Sequence, residues 1–396
     1  MTSASQTSVS VPPTENGSPR LAVLRLENFI RERALPLWAS SGFDRENRCF
    51  HERLEYSGVP VRDSPRRLMV QTRQIVVYAR ASLFNWYSSD RQQIAWAFDS
   101  VCERYRTSDQ DIGWTFSVHP DGSPADNTRD LYAHAFVLYM LAWMHRLTSD
   151  PRALALADIT LSDIDRIFLT GNGPGYLSKV PGRTDLREQN PHMHLFEALL
   201  ALAEASQADR YLAHANALIA LFDDQLVDSA TGTVRETFDA NWRPLKPAGQ
   251  NLVEPGHQLE WAWLLREWER LTGLRTEDRV QKLVMHATAF GIDKATGLVR
   301  GAVREDGSSA SNASRVWGQT ETIRALCRED AKGVMWPGLV STITNNLFAS
   351  HLPPHLDGGW IDQIDERKET SVDHMPGSTL YHLAGAAIDS SVACRP

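Results

Sequence analysis

Apolar residues return at the spacing of a single helix face in twelve stretches of the chain, each bounded by a capping residue or a breaker. The stretches lie near 21–37, 66–88, 90–107, 129–148, 151–169, 191–206, 208–226, 255–273, 276–290, 314–329, 334–350 and 376–388. The links between them alternate in kind. Those leaving the even helices are short, as in Ser88-Ser89-Asp90, Thr148-Ser149-Asp150-Pro151, Ser206-Gln207-Ala208 and Gly273-Leu274-Arg275. Those leaving the odd helices are long and carry glycine with strand-like pieces such as Gly113-Trp114-Thr115-Phe116, Gly232-Thr233-Val234-Arg235, Gly297-Leu298-Val299-Arg300 and Gly358-Gly359-Trp360-Ile361. The pattern is twelve helices in six pairs.

A landmark residue falls on each even helix in turn: Arg73, His134, His194, His257, Trp317 and His382, at intervals of 61, 60, 63, 60 and 65. A period near 60 that holds two helices is a repeat. Six helical hairpins can close into an inner ring wrapped by an outer ring, which predicts an all-α fold, an (α/α)6 barrel of twelve helices with short β-hairpin-bearing loops at one end. An open solenoid shares the period but needs capping repeats, and none is recognisable. In the closed form the even helices are the inner ring, and their N-termini open together beside the strand-bearing loops.

Composition sharpens this. The chain has 396 residues, more than the roughly 250–300 at which one core usually stops growing, and a closed ring answers that length. The expected organisation is a disordered tail over 1–20, rich in Ser, Thr and Pro, followed by one catalytic barrel over 21–396. The net charge of −8 supplies no basic footprint for nucleic acid or an anionic membrane. No apolar run approaches the ~18 residues of a membrane span, and the N-terminus has no secretory pattern. Cys49, Cys102, Cys327 and Cys394 are widely spaced and form no C-x-x-C, so reduced thiols in a cytoplasmic protein are expected.

The landmarks suggest chemistry. Asn190-Pro191 and Glu254-Pro255 put proline where a helix starts, so His194 and His257 stand in or near first turns. There the helix dipole disfavours an imidazolium and favours a neutral base. Glu260 and Glu197 each follow a histidine by three residues, the spacing of one helix face. His382 is expected about two turns into the last helix, which closes against the second and tenth. His192 and His194 point about 200° apart on a helix and cannot share an ion, H-E-x-x-H is absent, and no metal or other cofactor is expected. Gly171-Asn172-Gly173-Pro174-Gly175 follows a helix and lacks Lys-Ser/Thr, so it is a plain loop. Trp114, Trp317 and Trp360 are expected on the cleft side, where flat faces suit a pyranose, with Trp261, Trp263 and Trp268 as packing. An inverting glycosidase built on Asp130, Asp362 or Asp365 is the alternative from another reaction class, although Asp130 also suits a helix cap. A non-catalytic helical scaffold is another.

Six motifs in order carry a resemblance: Arg73-Gln74-Ile75-Val76-Val77-Tyr78-Ala79, Asp130-Leu131-Tyr132-Ala133-His134-Ala135-Phe136, Gln189-Asn190-Pro191-His192-Met193-His194-Leu195-Phe196-Glu197-Ala198, Glu254-Pro255-Gly256-His257-Gln258-Leu259-Glu260-Trp261-Ala262-Trp263, Arg315-Val316-Trp317-Gly318-Gln319-Thr320-Glu321 and Met375-Pro376-Gly377-Ser378-Thr379-Leu380-Tyr381-His382. Through them the chain resembles the N-acylglucosamine 2-epimerase superfamily, and within it the D-mannose isomerase branch. The resemblance implies an (α/α)6 barrel whose acid/base pair, His257 and His382, moves a proton through a cis-enediolate. It places Arg73, Asn190, His194, Glu260 and Trp317 at substrate-binding and ring-opening positions, with no cofactor. Disaccharide-acting members carry a tryptophan five residues before the last histidine. Gly377 stands there in this chain, which points to a free monosaccharide. The implied reaction is aldose–ketose isomerisation, mannose to fructose, with a 2-epimerase on N-acylglucosamine or a related sugar as the alternative. Outer-ring contacts leave no motif, so a homodimer stays open.

Overall fold

Tertiary structure was described from a computed structural model, which covers residues 18–87, 91–106, 112–171, 173–330 and 336–394. The Ser/Thr/Pro-rich stretch to residue 17, the Ser88-Ser89-Asp90 link and Asn172 lie outside the described residues. Twelve helical rods are present among those residues. Pro19–Phe29, a π turn at Ile30–Ala34 and Leu35–Ser40 form the first without a break, so Pro19 and Arg20 belong to a helix rather than to a tail. The π turn sits just before Pro36, whose missing N–H cannot continue the helical ladder.

The six inner helices are Leu68–Leu83, Leu131–Thr148, Gln189–Ser206, Pro255–Thr272, Val316–Asp330 and Thr379–Ala393. They are buried nearly all round; the second and third are mostly apolar, whereas Val316–Asp330 buries Gln319, Glu321, Arg324 and Glu329 through polar partners. Each packs on the next, and the last packs on the first. The outer helices, Arg91–Arg104, Pro151–Phe168, Asp209–Leu221 with its π turn Phe222–Leu226, Glu277–Phe290 and Pro337–Ser350, join the first rod around them. Local chemistry starts and stops these elements. Asp130 accepts from the Ala133 N–H and caps the second inner helix, while Ser149, Gln207 and Gly273 turn the chain in the left-handed region just past three inner C-termini.

The strands show how the ring closes. The strand before each inner helix pairs antiparallel with one in the following loop: Arg66–Arg67 with Ser117–Val118, Arg129–Asp130 with Lys179–Val180, Leu186–Glu188 with Thr237–Asp239, Leu252–Val253 with Ala302–Arg304, and Ser314–Arg315 with Gln363–Ile364. The sixth, His374–Pro376, pairs back onto Arg53–Glu55 at the start of the chain. An open solenoid has no such pairing. This is the (α/α)6 barrel.

Two positions recur on the inner helices. The fourth residue of five of them pins the loop strand: Gln71 to Phe50, His134 to Trp114, His192 to Tyr176, Gln258 to Val234 and Gln319 to Val299, each through backbone groups. Counted from the end of the preceding strand, Arg73, Phe136, His194, Glu321 and His382 stand sixth and Glu260 seventh. The period-60 landmark therefore mixes registers. His134 is a loop pin, His257 stands one residue before a pin, and Trp317 stands two before.

Candidate active site

At the mouth where the inner N-termini meet lies a cavity of about 190 Å³, and it brings together all seven residues singled out in the sequence: Arg73, Asn190, His194, His257, Glu260, Trp317 and His382. Tyr132, Glu254, Arg315, Ser378 and Thr379 complete the wall. His382 lies in the first turn of its helix, not two turns in, because that helix begins at Thr379.

Each histidine is oriented by a carboxylate through Nδ1. His257 meets Glu236 at 2.8 Å and Glu254 at 3.8 Å, His382 meets Glu321 at 2.8 Å, and His194 meets Glu197 at 3.1 Å. Among the described residues this leaves the three Nε2 atoms free of protein hydrogen bonds. The Glu197 partnership follows the i, i+3 spacing. Glu260, at the same spacing from His257, forms no such bond with it and lies 3.9 Å from His194 instead. Trp317 sits beside both other imidazoles, with ring centroids 4.8 Å from His257 and 6.0 Å from His382. Gly256 makes this possible, since a Cβ there would lie 2.3 Å from the Trp317 ring. Arg73 is caged by Phe136, Tyr381 and Tyr132 and donates to the Tyr132 hydroxyl. Its Nε, the Asn190 Oδ1 and the Glu260 Oε1 are buried without a protein partner. Buried polar atoms are normally paired, so these three mark where a polar ligand would bond.

The charges divide the histidines. Burial disfavours the His257 imidazolium, but Glu236 and Glu254 outweigh it and hold the group up to about 10. This reverses the neutral His257 expected from the helix dipole, because two full charges within 4 Å exceed a terminal partial charge. His382 moves the other way: burial, with Arg73 and His194 adding like charge, holds it well below its ordinary value. His194 is lowered by burial too. Burial and the neighbouring Glu321 and Glu197 carboxylates push Glu260 far above the carboxylate range. The cavity thus biases His382 toward the neutral imidazole, His257 toward the imidazolium and Glu260 toward the protonated carboxyl.

Three sets of donors lie close enough for one cation: His194 with Glu197 and Glu260, Glu236 with Glu254 and His257, and Glu260 with Glu321 and His382. In each the histidine nitrogen nearest the carboxylates is Nδ1, already paired. A cation would have to displace those bonds.

Other expectations are corrected. Trp114 is buried and donates to Thr160 on an outer helix, and Trp360 is buried and stacked on Trp38; both are packing, since the loops fold down against the outer ring. Trp261 is core, as expected. Asp130 is a cap, Asp362 accepts from the Thr379 hydroxyl, and Asp365 closes an exposed turn through the Arg367 and Glu369 N–H groups. No carboxylate pair of glycosidase type arises from them. Sequence reading missed Glu236 and Glu321. Glu321 stands 61 residues before His382 in the lumen register, so the period could have found it. Glu236 lies in a loop with no periodic signal.

Residues 49–386 match the family model for N-acylglucosamine 2-epimerase. The chain is 33% identical over 377 residues to a mannose-6-phosphate isomerase of Rhizobium meliloti (strain 1021), covering 90% of this chain and 94% of that protein. It is 24% identical over 292 residues to a cellobiose 2-epimerase of Bacteroides fragilis, covering 69% and 73%. A crystal structure of a D-mannose isomerase superposes with a TM-score of 0.83 at 21% identity, covering 97% of this chain and all of that one, at 100%.

Proposed function

Because the chain belongs to the N-acylglucosamine 2-epimerase family, an enzyme family of sugar epimerases and isomerases, we propose that it is an aldose–ketose isomerase of a free monosaccharide, interconverting D-mannose and D-fructose without a cofactor. The observation that carries the reading is the opposite protonation bias of His382 and His257, both beside Trp317. Groups whose environments push their pKa values apart are suited to divide the roles of base and acid.

His382, neutral, takes the C2 proton of the open-chain aldose. The C–H electron pair becomes the C1–C2 double bond of a cis-enediolate, and the carbonyl pair moves to O1, where the His257 imidazolium and the Arg73 guanidinium stabilise the charge. The O2 proton ends on O1, and His382, its proton exchanged with solvent, delivers a proton to C1 from the same side, giving the ketose. Asn190, His194 and the protonated Glu260 hold hydroxyls and assist ring opening, and Trp317 covers an apolar sugar face. Two features support a single sugar ring. The cavity is smaller than the roughly 300–1,000 Å³ of sites for drug-sized ligands, and Gly377 is packed to within 3.0 Å of Trp38 and Val70 at its missing Cβ, which leaves an aromatic platform no room.

The 2-epimerase reading is favoured by one feature, the upward shift that Glu236 and Glu254 give His257, since a second acid in the pocket can return the proton to the other face of C2. Incubation with mannose in deuterated water, followed by NMR, separates the two. Fructose labelled at C1 is expected. A labelled C2 epimer supports the alternative, and absence of exchange on any free monosaccharide overturns both.

A further inference from the structure

Beneath the sugar pocket the histidine partners converge on one cation. Glu197 and Glu321, which orient His194 and His382, are buried, as is Glu260 between them. Arg324, 2% exposed, reaches both: Nη1 donates to Glu321 Oε2 at 3.3 Å, and Nη2 lies 3.8 Å from Glu197 Oε1. Its Nε donates to Asp389 at 2.8 Å, and its guanidinium plane rests 3.3 Å from the Trp263 ring centroid. Asp389 is in turn gripped by Arg80 at 2.5 Å. Tyr381, the neighbour of His382, donates to both oxygens of Glu197 at 2.6 Å. The two histidine–carboxylate pairs are therefore not independent.

We infer that Arg324, locked in place by Asp389 and Trp263, is the positioning residue shared by both pairs, keeping Glu197 and Glu321 ionised so that His194 and His382 present Nε2 to the sugar in one fixed tautomer. The argument is one of charge and geometry. Three carboxylates crowded away from water cannot all stay ionised unless a cation lies among them. A guanidinium, planar and permanently charged, can serve two carboxylates at once; an ammonium cannot hold that fork. Glu321 must be an anion to accept the His382 Nδ1–H, because a protonated carboxyl can instead donate to Nδ1 and turn the free nitrogen into a donor. A base would then become unable to take a proton. The Glu260 carboxyl, which Arg324 does not touch among the hydrogen bonds described, is the one left to carry a proton.

The inference rests on the proposed proton transfer from sugar to His382, but its readout does not. Imidazole nitrogen NMR of the full chain reports the tautomer of His382 whether or not mannose reacts, with the resonance assigned by its loss in His382→Gln. In the wild type, Nδ1 is expected to be protonated and Nε2 bare at pH 7. Arg324→Met is expected to mix or reverse the tautomer, to lower kcat by roughly 30-fold out of the ~10²–10⁴ a general base supplies, and to leave KM within about threefold. Losing a positive charge that opposes the His382 imidazolium also moves the acid limb of kcat to higher pH. Arg324→Lys restores the limb but not the tautomer or full kcat. If Arg324→Met does not fold, Asp389→Asn keeps the arginine and removes its anchor, and a smaller shift in the same direction is expected. A folded Arg324→Met or Asp389→Asn with wild-type tautomer and pH profile overturns the inference. Wild-type protein inert toward monosaccharides but with the tautomer change in the variants would instead overturn the proposed function alone.

Discussion

The same six inner helices build two unlike mouths. At their N-termini lies the histidine cavity; at their C-termini a larger one of about 320 Å³ is lined by Arg80, Arg146, Arg270, Arg324 and Arg328 with Glu204, Glu267 and Asp389. Both follow the helix dipole, acidic groups gathering at the positive ends and Arg80, Arg146, Arg270 and Arg328 in the last turns at the negative ends. They differ in how charge is matched. At the rear Glu204 holds Arg146 and Arg270, Glu267 holds Arg270 and Arg328, and Asp389 holds Arg80 and Arg324. Each of these three carboxylates has two guanidinium partners, and the pairs nearest solvent are partly exposed, whereas Glu197, which also lines this cavity, meets Arg324 at 3.8 Å. At the front Glu254, Glu260 and Glu321 are all raised from their ordinary values by burial, with Glu236 adding like charge at Glu254 and Glu197 at Glu260 and Glu321, and only Glu260 is raised well above. Under the proposed function, size does not mark the reactive end; the mismatch of charge does, because it moves the proton affinities of neighbouring groups apart.

The comparison can be broken at either end. The largest effect belongs to His382→Ala, which is expected to lower kcat by about 10²–10⁴ and abolish exchange of the sugar C–H with deuterated water; activity near wild type would remove the front mouth's claim to the chemistry. Next is pH. His257 is raised to about 10, so the imidazolium and the stability it contributes are fully present below pH 6.5 and lost as pH rises through about 10. His382 is lowered, so the base is neutral above 6.5 and is lost only as pH falls further. A flat kcat/KM between pH 6.5 and 9 is expected, and Glu236→Gln should bring the alkaline limb down by about 1–2 pH units. A titration of kcat/KM in both proteins checks this. Gly256→Ala forces the Trp317 ring from its place beside His257 and should cost about tenfold in kcat/KM through misplacement alone. Smallest is Arg146→Ala at the rear. Its partly exposed pair with Glu204 and its contact with Trp143 are together worth about 1 kcal/mol in urea unfolding, with kcat unchanged. A loss of kcat there would mean that the two mouths are coupled through more than Arg324.

The helices were legible because each carries its own signals: Pro151, Pro255 and Asp130 at starts, Gly273 at a stop, apolar spacing between. Their ranges move by only a few residues in the structure. The seven site residues were legible through family motifs and gather at one mouth. What failed did so for stated reasons. Trp114 and Trp360 lie on the strand-bearing loops, and chain position does not say whether a loop side chain faces the lumen or the outer ring. His134 and His194 share a residue type and a spacing, yet the first pins a loop and the second faces the cavity, two residues out of phase on a helix. The protonation of His257 was misjudged because its deciding partner, Glu236, comes from the preceding loop.

Sequence alone determined the count and pairing of helices, the period of about 60 residues, the family motifs and the absence of an aromatic at Gly377, since these are local or repeating properties of the chain. Only the tertiary structure decided that the ring closes, through His374–Pro376 on Arg53–Glu55, and which carboxylate serves which histidine. Glu321 and His382 are 61 residues apart, Glu236 and His257 21. An electrostatic field depends on distance through space and on burial, and neither is a property of chain order.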